Sequence, residues 1–170
     1  MAVGSLETIF AALQRAGVRY LVVGGVAVVL HGHPRFTADL DLVLSLDTPN
    51  VRAALAALSE LGYTPRAPVP AEDLSDPRKR ADWIQNKGMI VFSLASPVHP
   101  ATEVDLFVEE PFPFEAAYRR ATWADLGDVR VAVASISDLV EMKRRAGRPR
   151  DLEDVRHLEE IAREFEPGDE

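Results

Sequence analysis

The period of the hydrophobic positions changes several times along this chain, and each change marks an element. Leu6, Ile9, Phe10 and Leu13 recur at helical spacing after Ser5, a good N-cap, and Gly17 closes that helix. Arg19 to Gly24 is almost wholly apolar and rich in valine, the pattern of a strand buried on both faces. Gly25 to Leu30 reads either as strand, from its valines, or as a short helix ending near Gly32. Leu40, Leu42 and Leu44 then alternate with Asp39, Asp41 and Val43, a half-buried strand. Thr48-Pro49 opens a helix as cap and first-turn proline, and Gly62 ends it.

The second half repeats the mixture. Residues 63–77 hold four prolines and read as a loop that is mobile or has a task near a site. A short helix over Pro77 to Asn86 precedes a strand from Met89 to Leu94, and Pro97 to Pro100 is a turn. Thr102 to Val108 is a strand, Phe112 to Ala121 helical, and Val129 to Ala134 a strand. Ser137 caps a helix that runs to Ala146 and stops at Gly147. Asp151 caps the last helix, whose apolar stripe is Leu152, Val155, Leu158, Ala162 and Phe165. The expected fold is mixed α/β (α+β): a small mixed sheet flanked by helices and followed by a C-terminal helical hairpin. One domain is expected over residues 1–170, with a core over about 5–134 and the final helices over about 137–165.

Composition narrows the class. An apolar fraction of 47% and a charged fraction of 27% are those of an ordinary globular protein. There is no cysteine, so disulfides and thiolate metal sites are excluded. The N-terminus, Met1-Ala2-Val3-Gly4-Ser5, has no basic segment, and the longest apolar run, Tyr20 to Leu30, is too short to span a bilayer. No membrane partner and a cytoplasmic location are expected. The net charge of −8 sits almost entirely in residues 151–170, which hold nine acids and two bases. Just before them Lys143, Arg144, Arg145, Arg148 and Arg150 form a stretch without an acid. It is either a solvated helix end, favoured by the helix dipole, or a local patch for a polyanion.

The candidate chemistry lies in two glycines and three aspartates. Gly24-Gly25 is separated by thirteen residues from Asp39-Leu40-Asp41, and Asp105 lies on a later strand between Val104 and Leu106. Strand alternation points Asp39 and Asp41 the same way, roughly 6–7 Å apart. If the two strands are neighbours, Asp105 joins them. Three close carboxylates repel one another unless a cation neutralises them, and all-oxygen ligation suits Mg²⁺ or Mn²⁺. Two such ions serve phosphoryl transfer: one activates an attacking hydroxyl and the other holds the triphosphate and the leaving pyrophosphate. The competing account makes both strands amphipathic with solvated acids, and Gly-Gly a hairpin turn. It must then also explain the third acid and the apolar flanks of the glycines, and is the weaker one. A strand–diglycine–helix unit lets backbone N–H groups approach a phosphate. Arg35 and Thr37 lie in the loop leading into the D-x-D strand, where Arg35 is either a phosphate contact or an exposed loop arginine. The four histidines show no ligand spacing, and Trp83 and Trp123 read as core or lid packing rather than stacking platforms.

These residues resemble the nucleotidyltransferase superfamily, the DNA polymerase β-like fold. GGVAVVLHGHPRFTADLD at 24–41 matches its Gly-Gly/Gly-Ser and D-x-D signature, and EVDLF at 103–107 supplies the lone carboxylate. LVEMKRRAGRPRDLEDVRHL at 139–158 resembles a further block of the AbiEii-type branch, found in abortive-infection and toxin–antitoxin systems. The resemblance implies that Gly24 and Gly25 hold a triphosphate and that Asp39, Asp41 and Asp105 bind metal, Asp105 also activating the acceptor hydroxyl. It implies that Lys143 contacts nucleotide phosphates and that Asp151 is the acid of the branch's R-D pair, a role compatible with helix capping. Where many members have serine after the first glycine, this chain has Gly25.

The expected function is therefore metal-dependent transfer of an NMP from an NTP to a hydroxyl acceptor, RNA or tRNA among the candidates, with release of pyrophosphate. An antitoxin-type enzyme that modifies a partner toxin protein is the alternative within the class. A non-catalytic nucleotide-binding module is the alternative outside it, and a plain phosphohydrolase would not need the diglycine.

Overall fold

The computed structural model describes residues 3–166; Met1-Ala2 of the N-terminus and the last four residues of the acidic tail lie outside the described residues. Its centre is a seven-stranded mixed sheet in the order β3-β4-β5-β2-β1-β7-β6. The strands are β1 (Tyr20–Val23), β2 (Asp39–Leu44), β3 (Thr64–Pro65), β4 (Val91–Ala95), β5 (Glu103–Phe107), β6 (Thr122–Leu126) and β7 (Val129–Val133). β1 lies between β2 and β7 and is buried at all four positions, which is why it reads as an unbroken apolar run. β2 keeps Leu40, Leu42 and Leu44 in the core, but Val43 is buried too, so alternation holds only over its first half.

The helices are α1 (Val3–Arg15), α2 (Gly24–Leu30), α3 (Thr48–Glu60), α4 (Pro77–Lys87), α5 (Phe114–Arg119), α6 (Ile136–Ala146) and α7 (Pro149–Phe165). Ile9, Phe10 and Leu13 of α1 and Val51 and Leu58 of α3 join Leu21, Val22, Leu42 and Val131 in a core shut off from solvent. The ambiguous segment after the diglycine is helical: β1 passes directly into α2 at Gly24, whose φ of +68° turns the chain. This rules out the hairpin.

Several expected caps move. Helix α1 starts before Ser5, whose hydroxyl instead bonds His99 Nδ1 at 2.9 Å. Asp47, not Thr48, caps α3 by accepting from the Asn50 N–H, and Ser135, not Ser137, caps α6. At α3 and α6 the residue one or two places earlier has extended backbone and a side chain that accepts from the first turn. Asp151 is the third residue inside α7 rather than its cap; its carboxylate accepts from the backbone and side chain of Arg148.

Residues 63–77 are more ordered than their prolines led us to expect. Tyr63 is buried and donates to the Thr102 carbonyl, β3 pairs with β4, and a 3₁₀ turn at Ala71–Ser75 sets Leu74 in the core. The edge strand β6, to which the sequence pattern assigns no element, gains its order from pairing with β7.

Candidate active site

The sheet register decides which acids meet. Across neighbouring strands Val23 stands opposite Asp41, Asp41 opposite Asp105, and Asp105 opposite Ser93. One transverse row therefore carries both carboxylates, and it ends on the residue just before Gly24. Asp39 lies one pleat away, opposite Glu103. Glu103 is occupied by Arg66 in an ion pair and is not free to join the cluster.

Gly24 and Gly25 are required for space as well as for the turn. A Cβ on Gly24 would stand 2.0 Å from Asp41 Oδ2, so the bare backbone lets that carboxylate lie against the β1–α2 junction. A Cβ on Gly25 would stand 2.7 Å from Thr37 Oγ1 and 3.2 Å from Arg35 Nη1. The loop before β2 thus folds over the second glycine and brings Arg35 and Thr37 to the start of α2.

Burial, followed by repulsion from Asp105 and Asp39, pushes the Asp41 carboxyl up to about 7, against partial relief from Lys143. Burial also raises Asp105, with Asp39 and Glu103 adding to it, although Ser93 pulls the other way by donating to its Oδ1 at 2.6 Å. The raised Asp41 carboxyl stands close enough to Asp105 to share a proton with it as pH falls below about 7. Among the described residues no group of three or more His, Asp or Glu side chains is gathered as a metal cage. The structure pairs Asp41 with Asp105 and leaves Asp39 beside them, where the sequence led us to expect a converged trio. The donor chemistry nevertheless fits a hard divalent cation: the donors are oxygens only, and burial and mutual repulsion raise both carboxyls, a cost that a cation would relieve.

Opposite the acids stands a cationic wall. Lys143 of α6 is almost fully buried, and its Nζ donates to Asp154 Oδ2 at 2.8 Å. Arg35 donates to the same oxygen at 2.7 Å. One carboxylate, 5% exposed, thus serves two cations, buried Lys143 and partly buried Arg35, and Lys143 also acts on the charges of Asp41 and Asp151. Burial opposes the Asp151 anion, yet the hydrogen bonds and charge of Arg148 outweigh it and hold the carboxyl below its usual range.

All nine residues singled out in the sequence line one cleft of about 860 Å³, at the upper end of the range for small-molecule sites. Arg145, Arg148 and Arg150 of the basic stretch are on its lining, while Arg144 pairs with Glu159 on the outside. A smaller cavity, about 560 Å³, lies at the other end of β1 around Arg19, Tyr118 and Trp123 and contains none of these acids. Residues 63–77 do not line the cleft.

Two residues of the site were missed in the sequence. Ser93 alternates with Phe92 and Leu94, so it was detectable as the polar-face neighbour of Asp105 once the strands were paired. Asp154 was hidden by the assumption that a core-facing stripe is apolar. The buried face of α7 is Asp151, Asp154, Val155 and Leu158, whereas Leu152 and Phe165 of the expected stripe are 51% and 81% exposed. Of the two tryptophans, Trp83 is in the core and Trp123 is half exposed.

Comparison with known proteins follows the same lines. The family model described as "Nucleotidyl transferase AbiEii toxin, Type IV TA system" matches residues 9–169. No curated protein matches the sequence. The fold resembles the lincosamide antibiotic adenylyltransferase LnuA, solved with lincomycin bound, with a TM-score of 0.61 and 16% identity, over 92% of this chain and 95% of that one. It also resembles ANT(2")-Ia, solved with adenylyl-2"-tobramycin, with a TM-score of 0.60 and 14% identity over 94% and 92% of the two chains. A nucleotidyltransferase-like protein from Paracoccidioides brasiliensis gives a TM-score of 0.54 and 18% identity over 98% and 78%. At these identities the likeness is one of fold.

Proposed function

Because this chain belongs to the AbiEii nucleotidyl transferase toxin family, and is accordingly a nucleotidyltransferase, we propose that its cleft binds an NTP with Mg²⁺ or Mn²⁺ and passes the NMP to a hydroxyl acceptor. The oxygen of the acceptor forms a bond to the α-phosphorus, the bond between the α-phosphorus and its bridging oxygen to the β-phosphate breaks, and pyrophosphate leaves. The observation that carries the reading is the cleft itself: an acid row on one wall faces two cations that share a single carboxylate on the other.

In this reading Lys143 and Arg35, which share the single carboxylate of Asp154, hold the phosphates. The bare backbone at Gly24 and Gly25 keeps that approach free of side chains. Asp39, Asp41 and Asp105 would hold one or two divalent ions, which when bound supply charge neutralisation to the phosphates and lower the pKa of a bound hydroxyl. Asp105, oriented through Oδ1 by Ser93, receives the proton of the acceptor hydroxyl. Asp151 holds Arg148 on the rim while completing the first turn of α7.

For the acceptor we favour RNA, tRNA included, over a protein side chain. Arg145 and Arg148 stand largely exposed on the rim beside Arg150, a surface suited to a phosphate backbone. The enzyme would then act as the cytoplasmic toxin of a two-gene system with a cognate antitoxin. Incubation with each NTP labelled at the α-phosphate in a total lysate, followed by separation of RNA from protein, tests this. Label in small RNA is expected. Label confined to one protein would reassign the chain to the antitoxin-type role.

A further inference from the structure

Two large apolar side chains on the cleft lining are open to solvent, Phe36 at 75% and Ile90 at 69% exposure. Phe36 is the informative one, because its backbone is held on both sides. Arg35 before it is ion-paired to buried Asp154 at 2.7 Å. Thr37 after it packs into the space above Gly25. The carbonyl of Phe36 accepts a hydrogen bond from Arg150 Nη2 at 2.6 Å. Three successive residues thus fix the root of a phenyl ring whose faces touch little of the protein. Exposing an aromatic of this size costs burial that a restrained loop has no need to forgo. The ring stands next in sequence to Arg35, which shares the Asp154 carboxylate of the helix wall with Lys143.

We propose that Phe36 is the stacking platform for a nucleobase, namely the base of the NTP whose phosphates Arg35 and Lys143 hold. The inference rests on the nucleotidyltransferase reading above. A phenyl face carries no hydrogen-bonding group, so the platform accepts any base through its π-face and contributes affinity rather than base choice. The terminal base of an RNA acceptor presents the same ring chemistry, and the test must separate the two.

Binding of ATP with Mg²⁺, of inorganic tripolyphosphate with Mg²⁺, and of a short single-stranded RNA without a 5′-triphosphate is measured on wild type, Phe36→Ala and Phe36→Trp. Phe36→Ala should weaken ATP about tenfold and leave tripolyphosphate within about twofold, the loss of one base stack without loss of charge. Phe36→Trp should keep ATP affinity and show emission quenched by ATP but not by tripolyphosphate. The melting temperature of Phe36→Ala should stay at the wild-type value, because the ring is exposed. Unchanged ATP affinity in Phe36→Ala, or a loss confined to the RNA, would overturn the proposal while leaving the nucleotidyltransferase reading in place. A wild type that binds neither ATP nor tripolyphosphate would overturn both.

Discussion

The strand wall of the cleft gathers like charges and the helix wall gathers unlike ones, and the two are stabilised in opposite senses. On β2 and β5, register sets Asp41 against Asp105, and burial with mutual repulsion raises the Asp41 carboxyl to about 7. On α6, α7 and the loop before β2, Asp154 is shared by buried Lys143 and partly buried Arg35 in a triad that ties residues 119 positions apart. The strand wall costs stability and is kept for chemistry. The helix wall depends on the Asp154 counter-charge to keep its cations in place, and it also holds the charge that the chemistry needs. Substitutions on the two walls should therefore separate activity from stability in opposite directions.

The largest effect is expected for Asp41→Asn. Transfer of the nucleotidyl group should fall about a thousandfold, while the amide removes a repelling charge, so the unfolding midpoint should hold or rise. An active variant, or one that unfolds more easily, breaks the contrast. Asp154→Ala should do the reverse, losing about 3 kcal/mol of stability in urea unfolding because buried Lys143 and partly buried Arg35 are left without their counter-charge. Its affinity for NTP should also fall as the two cations lose their alignment. A stable Asp154→Ala variant would show that the triad is not what holds the helix wall.

The same contrast has a pH signature. The folded-state carboxyl of Asp41 lies near 7, above its unfolded value of 3.8, so the folded chain binds the extra proton between those limits. The contribution of this group is fully present below about pH 3.8 and is lost as pH rises through about 7. Unfolding free energies of wild type and Asp41→Asn measured from pH 4 to pH 8 should diverge by about 4 kcal/mol in favour of the variant at the alkaline end. Parallel curves would mean that the acid pair carries no such cost.

How much of this was legible in the sequence follows from the same two walls. The strand wall was, because a period of two is strict and Asp39, Asp41 and Asp105 each alternate with core residues. What the pattern could not supply was the register, which pairs Asp41 rather than Asp39 with Asp105 and adds Ser93. On the helix wall Lys143 and Asp151 could be picked out only by resemblance. Asp154 could not be found from apolar periodicity, because it occupies a core-facing position of α7 as a charged residue whose partners are remote in sequence. The displaced caps have a local cause: Ser5, Thr48 and Ser137 are all good cap residues, and backbone geometry alone decides among neighbours.

The smallest effect tests how the walls meet. Gly25→Ala should cost about 1 kcal/mol, because its methyl group meets both Oγ1 and Cβ of Thr37, and Thr37→Ala in the same chain should recover only part of it, since the Cβ at 2.9 Å remains. A single variant as stable as wild type would show that the loop before β2 yields without cost.

The most direct test of the central claim, that the acid row performs nucleotidyl rather than phosphoryl transfer on an NTP held by the helix wall, compares the same NTP labelled at the α- or the γ-phosphate. With wild-type protein and lysate, label should enter an acceptor from the α position alone, with the γ label recovered in pyrophosphate, and Asp41→Asn should transfer neither. Label entering the acceptor from the γ position, or undiminished α transfer by Asp41→Asn, would contradict the account.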